Sequence, residues 1–245
     1  MDLLSIYRSL GPVDLRNVRR DRMLAWVVTA PLLVALLFRF GVPPLAELLR
    51  GKLGLDLAPY HGLLMSLFVL TAPTMIGMIA GFLLIDERDD RTLTAMLVTP
   101  MPLSGYLLYR VTAPIALGFV FTMACYPVAG LAPVPAIDLL TVALLASLNG
   151  PITALFLAVF AENKVAGFAL VKVLNTINIL PVAAFFLSAG WQLAAGIVPA
   201  FWPMKMLWLA VSGEGYALYA AAGLAVNAAA LALLLRRFDV RMHRI

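Results

Sequence analysis

A chain of 245 residues that is 63% hydrophobic and 13% charged holds more apolar surface than one water-soluble core can hide, so the excess must face lipid. With 18 Lys and Arg against 13 Asp and Glu, the basic balance then reports on membrane orientation rather than on nucleic acid. The apolar runs lack the alternation over about ten residues that marks a membrane barrel, so the spans are read as helices.

Residues 1–22 carry Leu3, Leu4, Ile6, Tyr7, Leu10, Leu15 and Val18 among five arginines, the pattern of a helix lying in the inner interface. Gly11-Pro12 is expected to interrupt it. Span one covers 23–41; five further spans follow, so it is not read as a cleaved signal. The outer loop 42–59 holds Pro43-Pro44 and a short amphipathic piece, 45–53. Span two covers 60–85, where Gly77 and Gly81 form a small-xxx-small pair that permits close helix contact. A polar inner segment, 86–104, leads to span three, 106–131, with Pro114 and Pro127. Span four, 138–161, is predicted to start with Asp138 as its N-cap and to kink at Asn149-Gly150-Pro151.

After the short inner turn Glu162-Asn163-Lys164 comes span five, 165–189. There Lys172, Asn175, Thr176 and Ile179 recur at i, i+3, i+4 and i+7, so a polar stripe occupies part of one helical face. Polar groups at such depth face protein or water, although Lys172 is close enough to the inner surface to snorkel. Residues 190–214 are too apolar for an outer loop and too rich in proline for a clean span. They are read as a re-entrant hairpin, with Trp191, Trp202 and Trp208 as interface anchors. Span six, 215–235, stops at Arg236-Arg237. The expected architecture is therefore an all-α integral membrane protein, one domain of six transmembrane helices with an interfacial helix, an inner helix between spans two and three, and an outer re-entrant hairpin.

With both termini inside, the inner segments hold Arg8, Arg16, Arg19, Arg20, Arg22, Arg88, Arg91, Arg110, Lys164, Arg236, Arg237, Arg241 and Arg244. The outer loops hold Arg39, Arg50, Lys52 and Lys205. That asymmetry orients both termini to the cytoplasm.

Catalytic chemistry finds no foothold. Gly51-Lys52 is the nearest approach to a phosphate-binding loop, but Ala46 stands where its first glycine belongs and Leu53 replaces the Ser or Thr. The single cysteine, Cys125, lies within a span, and His61 and His243 fall on opposite sides of the membrane, which leaves no paired-ligand metal site. No catalytic residue and no metal ligand is assigned, and nucleic acid is not an expected partner.

The stretch Asp86, Glu87, Arg88, Asp89, Asp90, Arg91, Thr92, Leu93 to Pro100 is charged at its start and amphipathic afterwards, with Leu93, Met96 and Leu97 on one face. Its acidic start is read as suiting a helix N-terminus. A short rigid helix with an apolar face, tied to span two at one end and span three at the other, can transmit force. In Glu87-Arg88, Thr92-Leu93, Leu97, Thr99-Pro100, Tyr106 and Arg110, the chain resembles the permeases of ABC-2 exporters; Arg91 stands where those have glycine. Residues Glu162 to Gly167 with Lys172, and Pro199 to Lys205, look like the branch of drug and fluoroquinolone export permeases.

The resemblance implies a membrane-spanning permease subunit of an ATP-driven exporter in a bacterial inner membrane. It would pair with a second permease chain and with two copies of an ATPase subunit that hold the ATP and Mg. Residues Asp86 to Leu93, Met96 and Leu97 would couple to the ATPase. Spans two and five would line the route, giving Thr71, Thr74, Asn175, Thr176 and Asn178 a role there. The cargo is expected to be amphiphilic: a drug, lipid or natural product. Two other readings stay open, a secondary transporter or channel and an immunity subunit against an antimicrobial peptide.

Overall fold

The computed structural model describes residues 3–90 and 103–242. Among these, six helices are long and apolar enough to cross a membrane, and the regular structure is helical throughout.

Helix α1 (Leu3–Arg20) packs Ile6 and Leu10 beside Leu234 and Phe238 near the other terminus, so both ends of the described chain lie at one end of the bundle, termed inner below. Contrary to expectation, α1 runs unbroken through Gly11-Pro12. Proline removes one backbone bond, but buried contacts at Ile6 and Leu10 and a paired Asp14 pin the helix on either side. Asp21 then turns the chain, accepting from the amides of Met23 (3.0 Å) and Leu24 (3.3 Å) as the N-cap of α2 (Arg22–Leu53).

Helix α2 continues well past 41 and ends on Gly54, whose φ of 67° needs the left-handed region. The piece expected as a separate amphipathic segment is the end of this helix. Pro43 and Pro44 deprive the carbonyls of Arg39 and Phe40 of their partners, but both residues are exposed.

Helix α3 (His61–Asp89) is the central post. It extends four residues beyond the expected span, so Asp86, Glu87, Arg88 and Asp89 form its last turn rather than the start of a new helix. Acidic side chains there oppose the helix dipole and need cationic partners. The chain returns as α4 (Leu103–Ala129), then α5 (Ala136–Ser147) and α6 (Asn149–Phe160), which are separated by Leu148. The break falls where Gly150 meets Pro114, an added Cβ lying 3.2 Å from it. Asp138 is not the N-cap: Pro135 holds that position, and Asp138 accepts from the Tyr216 hydroxyl at 2.6 Å.

In the most apolar windows of α3 and of the α5–α6 pair, 72% and 83% of residues are buried, against 17% for α2, α7 (Lys164–Ile179) and α9 (Ala217–Met242). The centre is therefore α3 on α6, where Gly77 and Gly81 bring the backbones together. Helix α8 (Phe201–Ser212), which follows short helical turns at Pro181–Ala184, Ala189–Gln192 and Leu193–Ile197, is packed into the outer core, and two of the tryptophans expected as interface anchors, Trp202 and Trp208, are buried with it. Trp191 is 73% exposed. Apolar bulk does not distinguish a ring facing headgroups from one filling a core, and a 12-residue helix too short to span finds its apolar partners inside the bundle.

Candidate functional site

The inner end carries a belt of ionised groups. Arg110, on α4, is 3% exposed and donates to Asp14 of α1 through Nη1 at 2.8 Å and Nη2 at 3.3 Å. Its Nη2 also donates to Glu87 of α3. Tyr106 donates to the other Glu87 oxygen, Oε2, and accepts from Arg110 Nε at 3.2 Å. Tyr109 donates to Asp14 Oδ2 at 2.7 Å and meets the Tyr7 ring edge-on, while Tyr7 donates to Thr112 at 2.7 Å. One guanidinium thus joins α1, α3 and α4, with both carboxylates hydrogen-bonded again by tyrosines.

A second knot lies across the belt. Lys164 Nζ, at the start of α7, bridges Asp21 Oδ2 (3.1 Å) and Asp86 Oδ2 (2.9 Å). Burial pushes the Asp21 carboxyl up, but the hydrogen bond from Lys164, the Leu24 amide, the Lys164 charge and the Met23 amide together hold it below its ordinary value. A depressed carboxyl pKa supports folding at any pH above the unfolded value and is lost only as pH falls through the folded one. The Asp21 side of the knot therefore stays closed across neutral pH. Arg88 completes the belt by donating to the carbonyls of Ala161 (2.8 Å) and Glu162 (2.7 Å) just after α6, where a helix end leaves carbonyls unpaired.

The belt explains the inner turn at 162–167. Asn163 caps α7 by accepting from Ala166 N at 3.0 Å. Gly167 leaves room for Phe82, since an added Cβ would lie 2.8 Å from its ring.

Of the residues expected to couple to a partner, Glu87 faces Arg110, Asp86 faces Lys164 and Arg88 faces the α6 end, while Asp89 and Asp90 are exposed. Arg91, Thr92, Leu93, Met96 and Leu97 lie outside the described residues. Both flanks of that undescribed stretch end in the belt, Glu87 before it and Tyr106 and Arg110 after it.

At membrane depth a groove of about 360 Å³ runs between α3 and α7, with Val27 of α2 and Thr153 of α6 on its sides. Thr71, Thr74, Asn175 and Asn178 all line it, so four of the five expected path residues converge. Thr176 does not: it is exposed and donates to the Lys172 carbonyl at 2.9 Å. The groove is otherwise lined by Met, Leu, Val and Ile, a mix that suits an apolar body with a few polar handles.

Sequence reading missed Asp14 and Asp21. Asp14 was detectable: Tyr7, Gly11 and Asp14 recur at i, i+4 and i+7, which places an acid on the face of α1 that packs inward. The outer end has its own polar tie: Lys205 donates to Gln192 Oε1 at 2.7 Å, and Trp202 Nε1 donates to Gly196 O at 2.9 Å. Burial pushes the Lys205 ammonium below its ordinary value, with Glu214 opposing.

Comparison with known proteins gives a consistent picture. The family described as "Fluoroquinolones export permease protein Rv2686c-like" matches residues 14–235. The fluoroquinolones export permease proteins Rv2686c and MT2760, from two Mycobacterium tuberculosis strains, H37Rv and CDC 1551, are each 33% identical over 236 residues, covering 95% of this chain and 94% of theirs. No solved structure gives a significant match.

Proposed function

This chain belongs to the Rv2686c-like fluoroquinolone export permease family, and we propose that it is the membrane subunit of an ATP-driven drug exporter, powered through the segment between α3 and α4. Its relatives are named as permeases, not enzymes. The observation that carries the mechanical reading is the Glu87–Arg110–Asp14 cluster. A push on residues 91–102 reaches both their flanks, and the cluster passes it to α1, α3 and α4 together. Because α3 also lines the groove, and Lys164 ties its inner end to α7, the same push alters the groove's two principal walls.

The cargo proposed is an amphiphilic drug-sized molecule. Thr71, Thr74, Thr153, Asn175 and Asn178 offer hydroxyls and amides without a fixed charge, and the rest of the lining is apolar. A second permease chain is proposed against α7. Lys172, Asn175 and Thr176 are exposed on a helix whose other exposed residues include Val165, Val173 and Ile179. Polar groups at that depth are costly against lipid and favourable against a polar path between two chains. The ATPase, its ATP and Mg, and the orientation of the termini toward the cytoplasm of a bacterial inner membrane follow from the same reading. The break at Leu148, which a secondary transporter would use for ion binding, is occupied by packing of Gly150 on Pro114.

The test is Leu93→Asp in the full chain with its ATPase subunit. Export and permease-stimulated ATP hydrolysis are expected to fall about tenfold or more, since a lost apolar anchor costs roughly 1.5–3 kcal/mol, while the folded chain and its melting temperature are unchanged. Unaltered coupling in an assembled complex would overturn the reading. So would export by the chain alone in vesicles lacking nucleotide.

A further inference from the structure

A second and larger hollow, of about 540 Å³, lies on the other side of α3 from the drug groove and is left unused by the mechanism above. Its floor is Ile76, Ile79 and Leu83 of α3, and its walls are α2 and α4. These two helices pack together in the outer half, where Val34, Ala35 and Phe38 share a core with Phe121 and Tyr126. Nearer the inner end they separate, Leu24 of α2 packing instead on α3. Helix α1 closes the inner end of the gap with Tyr7, Gly11, Asp14, Leu15 and Val18. The sides open laterally at Leu15 and Leu117, which are 60% and 50% exposed.

The occupant is set by polarity, length and charge. Apart from the inner end, where Tyr109 and Arg110 already donate to Asp14 and Tyr7 donates to Thr112, the lining is aliphatic and aromatic, so water has nothing to hold it there. From Arg110 to Phe121 is eleven residues along α4, about 16 Å at ~1.5 Å per residue. That is roughly half of a ~30 Å hydrocarbon core, the depth of one leaflet. Beside the lateral opening at Leu15, α1 presents Arg8 and Arg19, which share the stripe of Leu15 by helical spacing and are exposed without an ion pair to any described carboxylate.

We propose that this hollow is a binding site for one phospholipid of the leaflet on the side of the termini, its acyl chain lying on Ile76, Ile79 and Leu83 and its anionic phosphate lying beside α1 in the combined field of Arg8 and Arg19, which stand about 16 Å apart along that helix at ~1.5 Å per residue. The bound chain fills the gap beneath α1 and so props the helix that carries Asp14 to Arg110. The inference needs the chain to sit in a bilayer but does not depend on what the chain exports.

Gly11 supplies the test. It lines the hollow, and an added Cβ there meets nothing within 4 Å, so the side chain of Gly11→Phe starts in open space and its ring is sized to occupy the hollow. The full chain is purified in detergent and titrated with phosphatidylglycerol or phosphatidylcholine, and the first bound phospholipid per chain is counted by native mass spectrometry. The wild type is expected to bind both, the anionic lipid more tightly. Gly11→Phe is expected to lose both while melting at the same temperature without lipid. The pair Arg8→Gln and Arg19→Gln is expected to weaken phosphatidylglycerol about 30-fold, corresponding to ~2 kcal/mol from two basic residues near the headgroup, and to leave phosphatidylcholine unchanged. Should Gly11→Phe melt lower, Ala116→Trp at the exposed rim takes its place. Retention of the first phospholipid at wild-type affinity by the filled variant overturns the site. Equal loss of both lipids in the double glutamine variant overturns the headgroup assignment.

Discussion

Replacing Arg110 with methionine is expected to destabilise the folded chain by ~3–5 kcal/mol, the usual cost of removing one partner from a buried ion pair. The reason is what remains. Without the guanidinium, Asp14 and Glu87 keep their tyrosine donors, Tyr109 and Tyr106, but two carboxylates then share one buried pocket with no cation. Coulomb repulsion and lost hydration both act against the fold. The triple variant with Asp14→Asn and Glu87→Gln as well is expected to recover a large part of the loss, because a neutral hydrogen-bonded cluster has no unpaired charge. Thermal unfolding of the purified chain in detergent measures both. If the single and triple variants melt together, the cluster is not a charge-balanced unit. The cluster also bears on export: a triple variant that folds but transports poorly would show that ionic stiffness, and not bare cohesion, links the 91–102 segment to α1.

Gly77→Ala is expected to cost ~1–3 kcal/mol, the range for overpacking a tight contact, against ~0.5–1 kcal/mol gained from alanine's helix preference. Sterics win at this position because the added Cβ would lie 2.2 Å from the Gly150 carbonyl oxygen, a backbone atom inside α6 that cannot rotate aside. At Gly81 the nearest atom is Leu157 Cδ1 at 2.8 Å, the far end of a side chain with some freedom, although Leu157 Cβ follows at 3.0 Å. Gly62 meets Val211 at an ordinary 3.5 Å. The melting temperatures of the three alanine variants should therefore fall in the order Gly77 lowest, Gly81 next, Gly62 at or above the wild type. A flat series would mean that α3 and α6 are free to move apart.

That α3 and α7 line a common route was an expectation carried by the resemblance to ABC-2 permeases; which of their polar residues meet in the groove follows from helical spacing. Thr71 and Thr74 share one face of a helix, and Asn175 and Asn178 share one face of another, because spacing along a helix determines which side chains neighbour each other. Thr176, one position from Asn175, falls about 100° round the helix at 3.6 residues per turn, which is why it turns away from the same groove. The coupling residues were harder. Asp86 to Asp89 read as the start of a new helix, since an acidic run preceding an amphipathic stretch has the composition of an N-terminus. They belong to the end of α3 because Lys164, Arg110 and Arg88 offset the unfavourable dipole. The prolines at 12, 43 and 44 also misled, since proline reports a missing amide and not whether neighbouring contacts hold the helix through the gap.

From the sequence alone came the membrane, the helical character of the spans and the close approach that Gly77 and Gly81 permit. Each is a local property, since hydropathy over some twenty residues and periodicity over two or three turns need no knowledge of the rest of the chain. The tertiary structure decided which charges are structural. Asp14 and Arg110 are 96 residues apart in the chain, and Asp21 and Lys164 are 143 apart. No spacing rule pairs them. A buried charge is tolerable only where folding delivers its counter-ion, so the identity of that partner is a property of the packed bundle.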